Sequence, residues 1–187
     1  AEDQIHRLAY FDNLTGLPNR GFFLQFLEQT LKLILRHQRP GALLFLDLDN
    51  FKQVNDTLGH SCGDLLLQSV AERLVGCLRT IDLVSRLDGI DERQHLARLG
   101  GDEFALLLPE ISCSQDAARI ASRILDALSL PFSLLGHDMV VTPSIGITVF
   151  PEDGTNASDL LRNSDLAMYH AKRAGKNAFK FFDASLN

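Results

Sequence analysis

The chain has 187 residues, 45% hydrophobic and 22% charged, with a formal net charge of −6. That length suits one domain with a sizeable core, and the composition excludes wholesale disorder. The acidic balance argues against broad nucleic-acid binding, and no apolar run approaches the roughly 20 residues of a membrane-spanning helix.

Residues 1–11 read as the end of a linker helix, with Ile5 and Leu8 on one stripe. The stretch DNLTGLPNR, from Asp12, is dense in turn residues and marks the start of the domain proper, 12–187. Phe22, Phe23, Phe26, Leu27, Leu31 and Ile34 recur at helical spacing, which predicts an amphipathic helix ending before Pro40. GALLFLDLDNF predicts a buried strand over 42–48. A helix follows from Asp64 to Arg79, with Leu66, Val70, Leu74 and Cys77 facing inward. LARLGGDEFALLLP predicts a hairpin turning at Gly100-Gly101. A further helix is expected with Ser114 as its cap. FSLLGHDMVVTPSIGITVF predicts a second hairpin around Gly136-His137-Asp138, with Pro143 marking an edge or bulge. The last helix starts at a Ser158 cap and stops at Gly175, and AFKFF closes as a strand. Helices alternating with paired strands predict an α+β fold, a mixed sheet flanked by helices with ferredoxin-like layering. The three cysteines lack metal-ligand spacing and read as reduced, buried thiols of a cytosolic domain.

The candidate chemistry lies where apolar runs turn acidic. Alternation along a strand puts Leu43, Phe45, Asp47 and Asp49 on one face. Unpaired buried carboxylates are costly, so this strand end either reaches solvent or meets a cation. Asp102 and Glu103 sit at the Gly-Gly turn. If that hairpin pairs beside the Asp47 strand, the carboxylates converge into hard oxygen ligands suited to Mg²⁺ or Mn²⁺. Gly100 and Gly101 would let a ligand approach the backbone closely. On the residues alone, a solvated acidic tip stands equally. Lys172 and Lys176, at i and i+4, share a helix face and offer phosphate clamps, with Lys52 as a third cation; a helix C-terminus favours such charges without any ligand. In NDTLGHSCGD, Asp64 has the acceptor geometry for the N1–H and N2–H₂ edge of guanine, and Asn55 could complement it. Helix capping explains both residues equally well.

Together, DNLTGLPNR, FLDLDNFKQVNDTLGHSCGD, ARLGGDEF, SIGITVFPEDG and SDLAMYHAKRAGKN, in this order, resemble the GGDEF domain of bacterial diguanylate cyclases, from Asp12 to Phe182. The resemblance implies an adenylyl-cyclase-like sheet and the condensation of two GTP to cyclic di-GMP, with release of two pyrophosphates, in a two-fold homodimer. It implies two Mg²⁺ (or Mn²⁺) per site, held by Asp47, Asp102, Glu103 and the Leu48 carbonyl. Of the catalytic pair Asp102 and Glu103, one carboxylate, Asp102 in preference, would also assist deprotonation of the ribose 3′-hydroxyl. Asn55 and Asp64 would read guanine; Lys52, the Asn50–Phe51 backbone, Lys172 and Lys176 would bind phosphates, over a floor of Gly100 and Gly101. The family usually has arginine at position 176, so the bidentate fork is lost there. The family's product-inhibition motif, R-x-x-D before GGDEF, is unmatched at Asp91 and Gln94. Arg79 and Asp82 supply an earlier copy, followed by extra residues expected to loop near Asp88–His95. Cyclic di-GMP is then product and candidate inhibitor. The expected setting is a cytoplasmic domain, within a protein that can be membrane-attached, flanked by a sensory domain and a C-terminal phosphodiesterase domain. The competing functional reading is a non-catalytic GTP-binding module that controls such a phosphodiesterase.

Overall fold

The computed structural model describes residues 2–79 and 95–186. Asp82 and residues 88–94 therefore lie outside the described residues, and with them all of the displaced inhibition motif except Arg79, and most of its loop. In chain order the elements are α1 (Glu2–Tyr10), α2 (Arg20–His37), β1 (Gly41–Leu48), α3 (Phe51–Leu58), α4 (His60–Arg79), β2 (Leu96–Gly100), β3 (Glu103–Leu108), α5 (Ser114–Leu128), β4 (Phe132–Leu134), β5 (His137–Met139), β6 (Pro143–Phe150), α6 (Ala157–Arg173) and β7 (Ala178–Phe181), ending in a 3₁₀ turn (Ala184–Leu186).

The main sheet has the order β2-β3-β1-β6-β7; β6 and β7 are parallel and the other neighbours antiparallel. Alternation along β1 sends its side chains to two cores. Leu44, Leu46 and Leu48 pack with Leu66, Val70 and Leu74 of α4 and Ile120 and Ile124 of α5. Leu43 and Phe45 pack with Phe23, Leu27, Leu31 and Ile34 of α2 and Leu160, Leu161 and Met168 of α6. The expected α+β layering is present, and the site forms at the end of the α2–α6 face.

One glycine sets that face. Gly146 of β6 lies under α6: a Cβ there would fall 3.0 Å from Ala167 C, and nearer still to Ser164 O and Met168 N. Beside it, the Thr148 and Ser164 hydroxyls share a hydrogen bond of 2.7 Å. The sheet and helix backbones therefore meet with no side chain between them. On the opposite face, Gly63 of α4 makes a different close approach, to a side chain of α3, as described below.

Several elements differ from expectation. Residues 51–58 form α3 and α4 begins at His60, so Asn55 lies on a helix and Asp64 is inside one. The predicted second hairpin splits into a small β4–β5 ribbon and an interior strand, β6. Pro143 marks no edge: it is the first residue of β6, where a missing N–H costs little, opposite Leu48. Ser114 and Ser158 are inside their helices; the preceding Cys113 and Asn156 hold the cap positions, and Asn156 accepts from Asp159 N–H at 2.8 Å. Of the cysteines only Cys62 is buried; Cys77 is half-buried and Cys113 exposed, all as free thiols. Ile5 is exposed. No helix of the described residues is long and apolar enough to cross a membrane.

Candidate active site

The expected convergence of carboxylates follows from strand register. β1 and β3 pair antiparallel with Asp47 opposite Glu103, which places both side chains on one face of the sheet. Asp102 sits in the turn just before Glu103, and its carbonyl accepts from Leu48 N–H at 3.3 Å. Gly100 and Gly101 have φ of +145° and +48°, in the left-handed region that favours glycine, so the turn reverses without strain.

These acids repel one another. Burial, then the neighbouring Asp102 carboxylate, pushes the Asp47 carboxyl up to about 6, against the opposing pull of Lys172. Glu103 is raised by burial and then by Asp47 and Asp165, with Arg20 and Lys172 pulling the other way. Lys172 Nζ lies 3.1 Å from Asp47 Oδ1 and occupies the position of a counter-ion. The hard oxygen donors of Asp47, Asp102, Glu103 and the Leu48 carbonyl, on a site this short of positive charge, fit Mg²⁺ or Mn²⁺. Among the described residues no three His, Cys, Asp or Glu side chains form a ready-made cage.

Asp49 takes a different part. It is 3% exposed, and its carboxylate accepts from Thr142 Oγ1 and Ser144 Oγ at 2.7 Å each and from Asn177 N–H at 3.0 Å. So satisfied, it anchors β6 and the segment after α6 to the end of β1.

That anchoring positions the second lysine. α6 ends at Arg173, so Lys176 is not on its face, contrary to the i, i+4 expectation. Lys176 has φ of +66°, its N–H donates to Ala171 O at 3.1 Å, and its Nζ donates to Asn50 Oδ1 at 2.8 Å. Lys172 and Lys176 thus reach the end of β1 by different routes. Asn50, itself at φ +61°, precedes the first turn of α3, which carries Phe51 and the exposed Lys52. The N-terminal amides of α3 and these lysines gather at the carboxylate end of the sheet.

Of the residues expected to read guanine, Asn55 lies on α3 and Asp64 on α4. A Cβ on Gly63 would lie 3.0 Å from Asn55 Cγ and nearer still to Asn55 Oδ1. The Asn55 amide therefore rests on the bare backbone of α4, next to the exposed Asp64. Arg79 sits at the exposed end of α4.

Two charged residues were missed by the sequence reading. Arg20 and Asp165 line a cleft of about 610 Å³ together with Glu103, on the α2–α6 face. Desolvation there raises Asp165, as does Asp47, and Arg20 opposes both. The available signal was spacing: Asp165 lies two helical turns before Lys172 on the same stripe.

A family model described as "Diguanylate cyclase, GGDEF domain" matches residues 9–92 and 90–178. The two matches meet within the stretch read as carrying extra residues. The chain is 43% identical over 187 residues to the bifunctional diguanylate cyclase/cyclic di-GMP phosphodiesterase MucR of Pseudomonas aeruginosa, covering all of this chain and 25% of MucR. It is 42% identical over 171 residues to the diguanylate cyclase TpbB of the same species, covering 91% of this chain and 37% of TpbB. It is 36% identical over 186 residues to the cyclic di-GMP phosphodiesterase NbdA, also of P. aeruginosa, covering 100% of this chain and 22% of NbdA. The crystallised GGDEF domain of TpbB superposes with a TM-score of 0.84 at 38% identity, over 95% of this chain and 96% of that one. The chain spans little more than a third, or less, of the length of these curated relatives. The motifs, the sheet register that joins them and these matches agree: the chain belongs to the diguanylate cyclase GGDEF domain family.

Proposed function

We propose that this domain is a diguanylate cyclase, condensing two GTP to cyclic di-GMP and two pyrophosphates. The observation that carries the reading is the placement of Asp47 opposite Glu103 with Lys172 at 3.1 Å, beside the Asn55–Gly63 contact and Asp64. Asn55 and Asp64 orient the base. Lys52, Lys172, Lys176 and the Asn50–Phe51 backbone hold the phosphates, and Lys172 exchanges its Asp47 contact for phosphate oxygens. Asp47, Asp102, Glu103 and the Leu48 carbonyl would hold two Mg²⁺ or Mn²⁺; when bound, such ions neutralise phosphate charge and lower the pKa of the attacking hydroxyl. Asp102 accepts the proton of the ribose 3′-hydroxyl. The 3′-oxygen then bonds to the α-phosphorus of the facing nucleotide, the α–β P–O bond breaks, and pyrophosphate leaves. One domain presents one GTP, so the facing nucleotide comes from a second copy in a two-fold dimer. Product inhibition through Arg79 and Asp82, and flanking sensory and phosphodiesterase domains, belong to the same reading.

A second reading has a specific observation behind it: the similarity to NbdA, a protein named as a phosphodiesterase. In that reading the domain binds GTP and regulates a neighbouring phosphodiesterase domain without turnover. Incubation of this chain, fused to a parallel coiled coil, with GTP and Mg²⁺, followed by nucleotide chromatography, separates the two. Cyclic product that disappears in Asp102→Ala supports the cyclase. Protection by GTP against thermal unfolding without any cyclic product supports the regulatory module.

A further inference from the structure

One side chain that the chemistry above does not use joins the acidic turn to the N-terminal region. Arg98 lies in β2 where its pairing with β3 shifts register. Its Nε donates to Gly101 O at 2.9 Å, and its Nη1 donates to Asp12 Oδ1 at 3.0 Å. Its backbone N–H donates to Pro18 O at 3.1 Å. The two side chains are only 15% and 18% exposed. Beyond the strand ladder, the acidic turn is held by this Gly101 bond and by the 3.3 Å bond from Leu48 N–H to Asp102 O.

The other end of the link is rigid. Asp12 Oδ2 accepts from Thr15 N–H at 2.9 Å and Thr15 Oγ1 at 2.7 Å, and Asp12 N–H donates to Leu17 O at 2.7 Å. Leu17 is 1% exposed in the core. Asn19 ties this segment to α1 through bonds to Tyr10 O at 2.9 Å and Ala9 O at 3.1 Å, and its side chain caps α2 by accepting from Phe22 N–H at 3.0 Å. The 11–19 segment is therefore fastened to α1, to α2 and, through Arg98, to the turn that carries Asp102 and Glu103.

We propose that Arg98 is a positioning residue that locks the acidic turn to the Asp12 segment, so that a displacement of α1 is transmitted to Asp102 and Glu103. The planar guanidinium serves two acceptors lying in different directions, which a lysine ammonium on a flexible stem does not reproduce. The kinetic consequence rests on the cyclase reading; the mechanical link does not.

Amide hydrogen exchange and steady-state kinetics on the coiled-coil-fused chain test this, using Arg98→Lys, Arg98→Gln, Asp12→Asn and the Asp12→Asn/Arg98→Gln double variant. All four should exchange faster at Leu48 N–H and across residues 100–103, by about threefold or more. For both Arg98 variants kcat should fall about 10–100-fold while KM for GTP changes by less than about threefold. The double variant should be no slower than Arg98→Gln, because the two residues act as one unit. Unchanged exchange at these amides in Asp12→Asn, or kcat losses that multiply in the double variant, would overturn the proposal. Asp12→Asn preserves shape and an acceptor oxygen, so it carries the test if Arg98→Gln does not fold. Absence of product from the unsubstituted chain defeats the cyclase reading alone, and the exchange arm still decides the link.

Discussion

Replacing Gly146 by alanine tests whether direct backbone contact between β6 and α6 sets the site. The added methyl meets three backbone atoms of α6 within 3.0 Å, and none can rotate away as a side-chain tip would. On its other sides the strand is fixed, since Gly146 pairs with Phe45 of β1 and Lys180 of β7. The helix must therefore lift. Overpacking a close-packed core costs about 1–3 kcal/mol, and backbone on two sides puts this case near the upper end. For a domain of this length, about 3 kcal/mol lowers Tm by roughly 6–12 °C. Lifting α6 also carries Lys172 away from Asp47, now 3.1 Å distant, and a misplacement of about 1 Å at a reacting centre costs about 10²-fold in rate. Gly76→Ala is the matched control: it is exposed on α4 with nothing within 4 Å of a new Cβ. That change should stabilise by about 0.5–1 kcal/mol through helix propensity. Thermal unfolding by circular dichroism and steady-state turnover are measured on all three proteins. A Gly146→Ala Tm within about 2 °C of the parent, or equal shifts for both glycines, would show that the β6–α6 backbone contact does not hold the helix in place.

Asp47→Asn should stabilise the chelator-treated protein at pH 8 while abolishing turnover. The folded Asp47 value, about 6, lies above its ordinary 3.8, so the folded state holds that proton more tightly than the unfolded one. The resulting destabilisation is full above pH 6 and disappears as pH falls through 6 towards 3.8. The linkage relation sets its ceiling at about 3 kcal/mol, the pull of Lys172 already included, and solvent screening at this incompletely buried group reduces it to about 1–2. Unfolding curves at pH 8 and 4.5 check this, and a variant no more stable than the parent at pH 8 would contradict it. Gly63→Ala pushes aside a side chain rather than backbone, so stability should change by less than about 1 kcal/mol while Kd for GTP rises about tenfold as Asn55 is displaced. Calorimetric titration with GTP measures that loss, and unchanged affinity would remove Asn55 from the base site. Lys176→Arg should lower Kd by about threefold in the same assay, because a guanidinium offers phosphate a two-pronged contact; a raised Kd would place position 176 away from the phosphates.

Sequence carried the fold well where periodicity is long. The Phe23, Leu27, Leu31, Ile34 stripe yielded α2, and Gly100-Gly101 between apolar runs yielded the β2–β3 hairpin. It failed where pairing is decided far along the chain. Residues 143–150 looked like the return strand of a local hairpin, yet they lie between β1 and β7. The eight-residue α3 was hidden because turn-forming Asn, Asp and Gly dominate local propensity there; its Phe51 and Val54 find their packing only against the distant core. The site divides the same way. Asp47, Asp102, Glu103 and Lys172 were legible as charges at the ends of apolar elements. The pairing of Arg98 with Asp12, 86 residues away, and the saturation of Asp49 by Thr142 and Ser144, more than 90 residues on, have no local signature.

On the proposed cyclase reading, the electrostatics of the cleft favour two half-sites over one. Asp47, Glu103 and Asp165 are all raised above their ordinary values, with Asp47 raising both others and Asp165 raising Glu103, so the fold concentrates negative charge at this end of the sheet. Lys172 is 3.1 Å from Asp47 and 3.9 Å from Asp49, and Arg20 acts on Glu103 and Asp165 from across the cleft. Two cations against these acids leave a deficit that divalent ions can fill, and a fully compensated site would have no such affinity. The same deficit would repel a second triphosphate arriving bare. A nucleotide that comes already neutralised by ions and lysines on a facing copy meets a smaller barrier. Two such half-sites, each carrying its own nucleotide, are therefore electrostatically better matched than one site loading two nucleotides in turn.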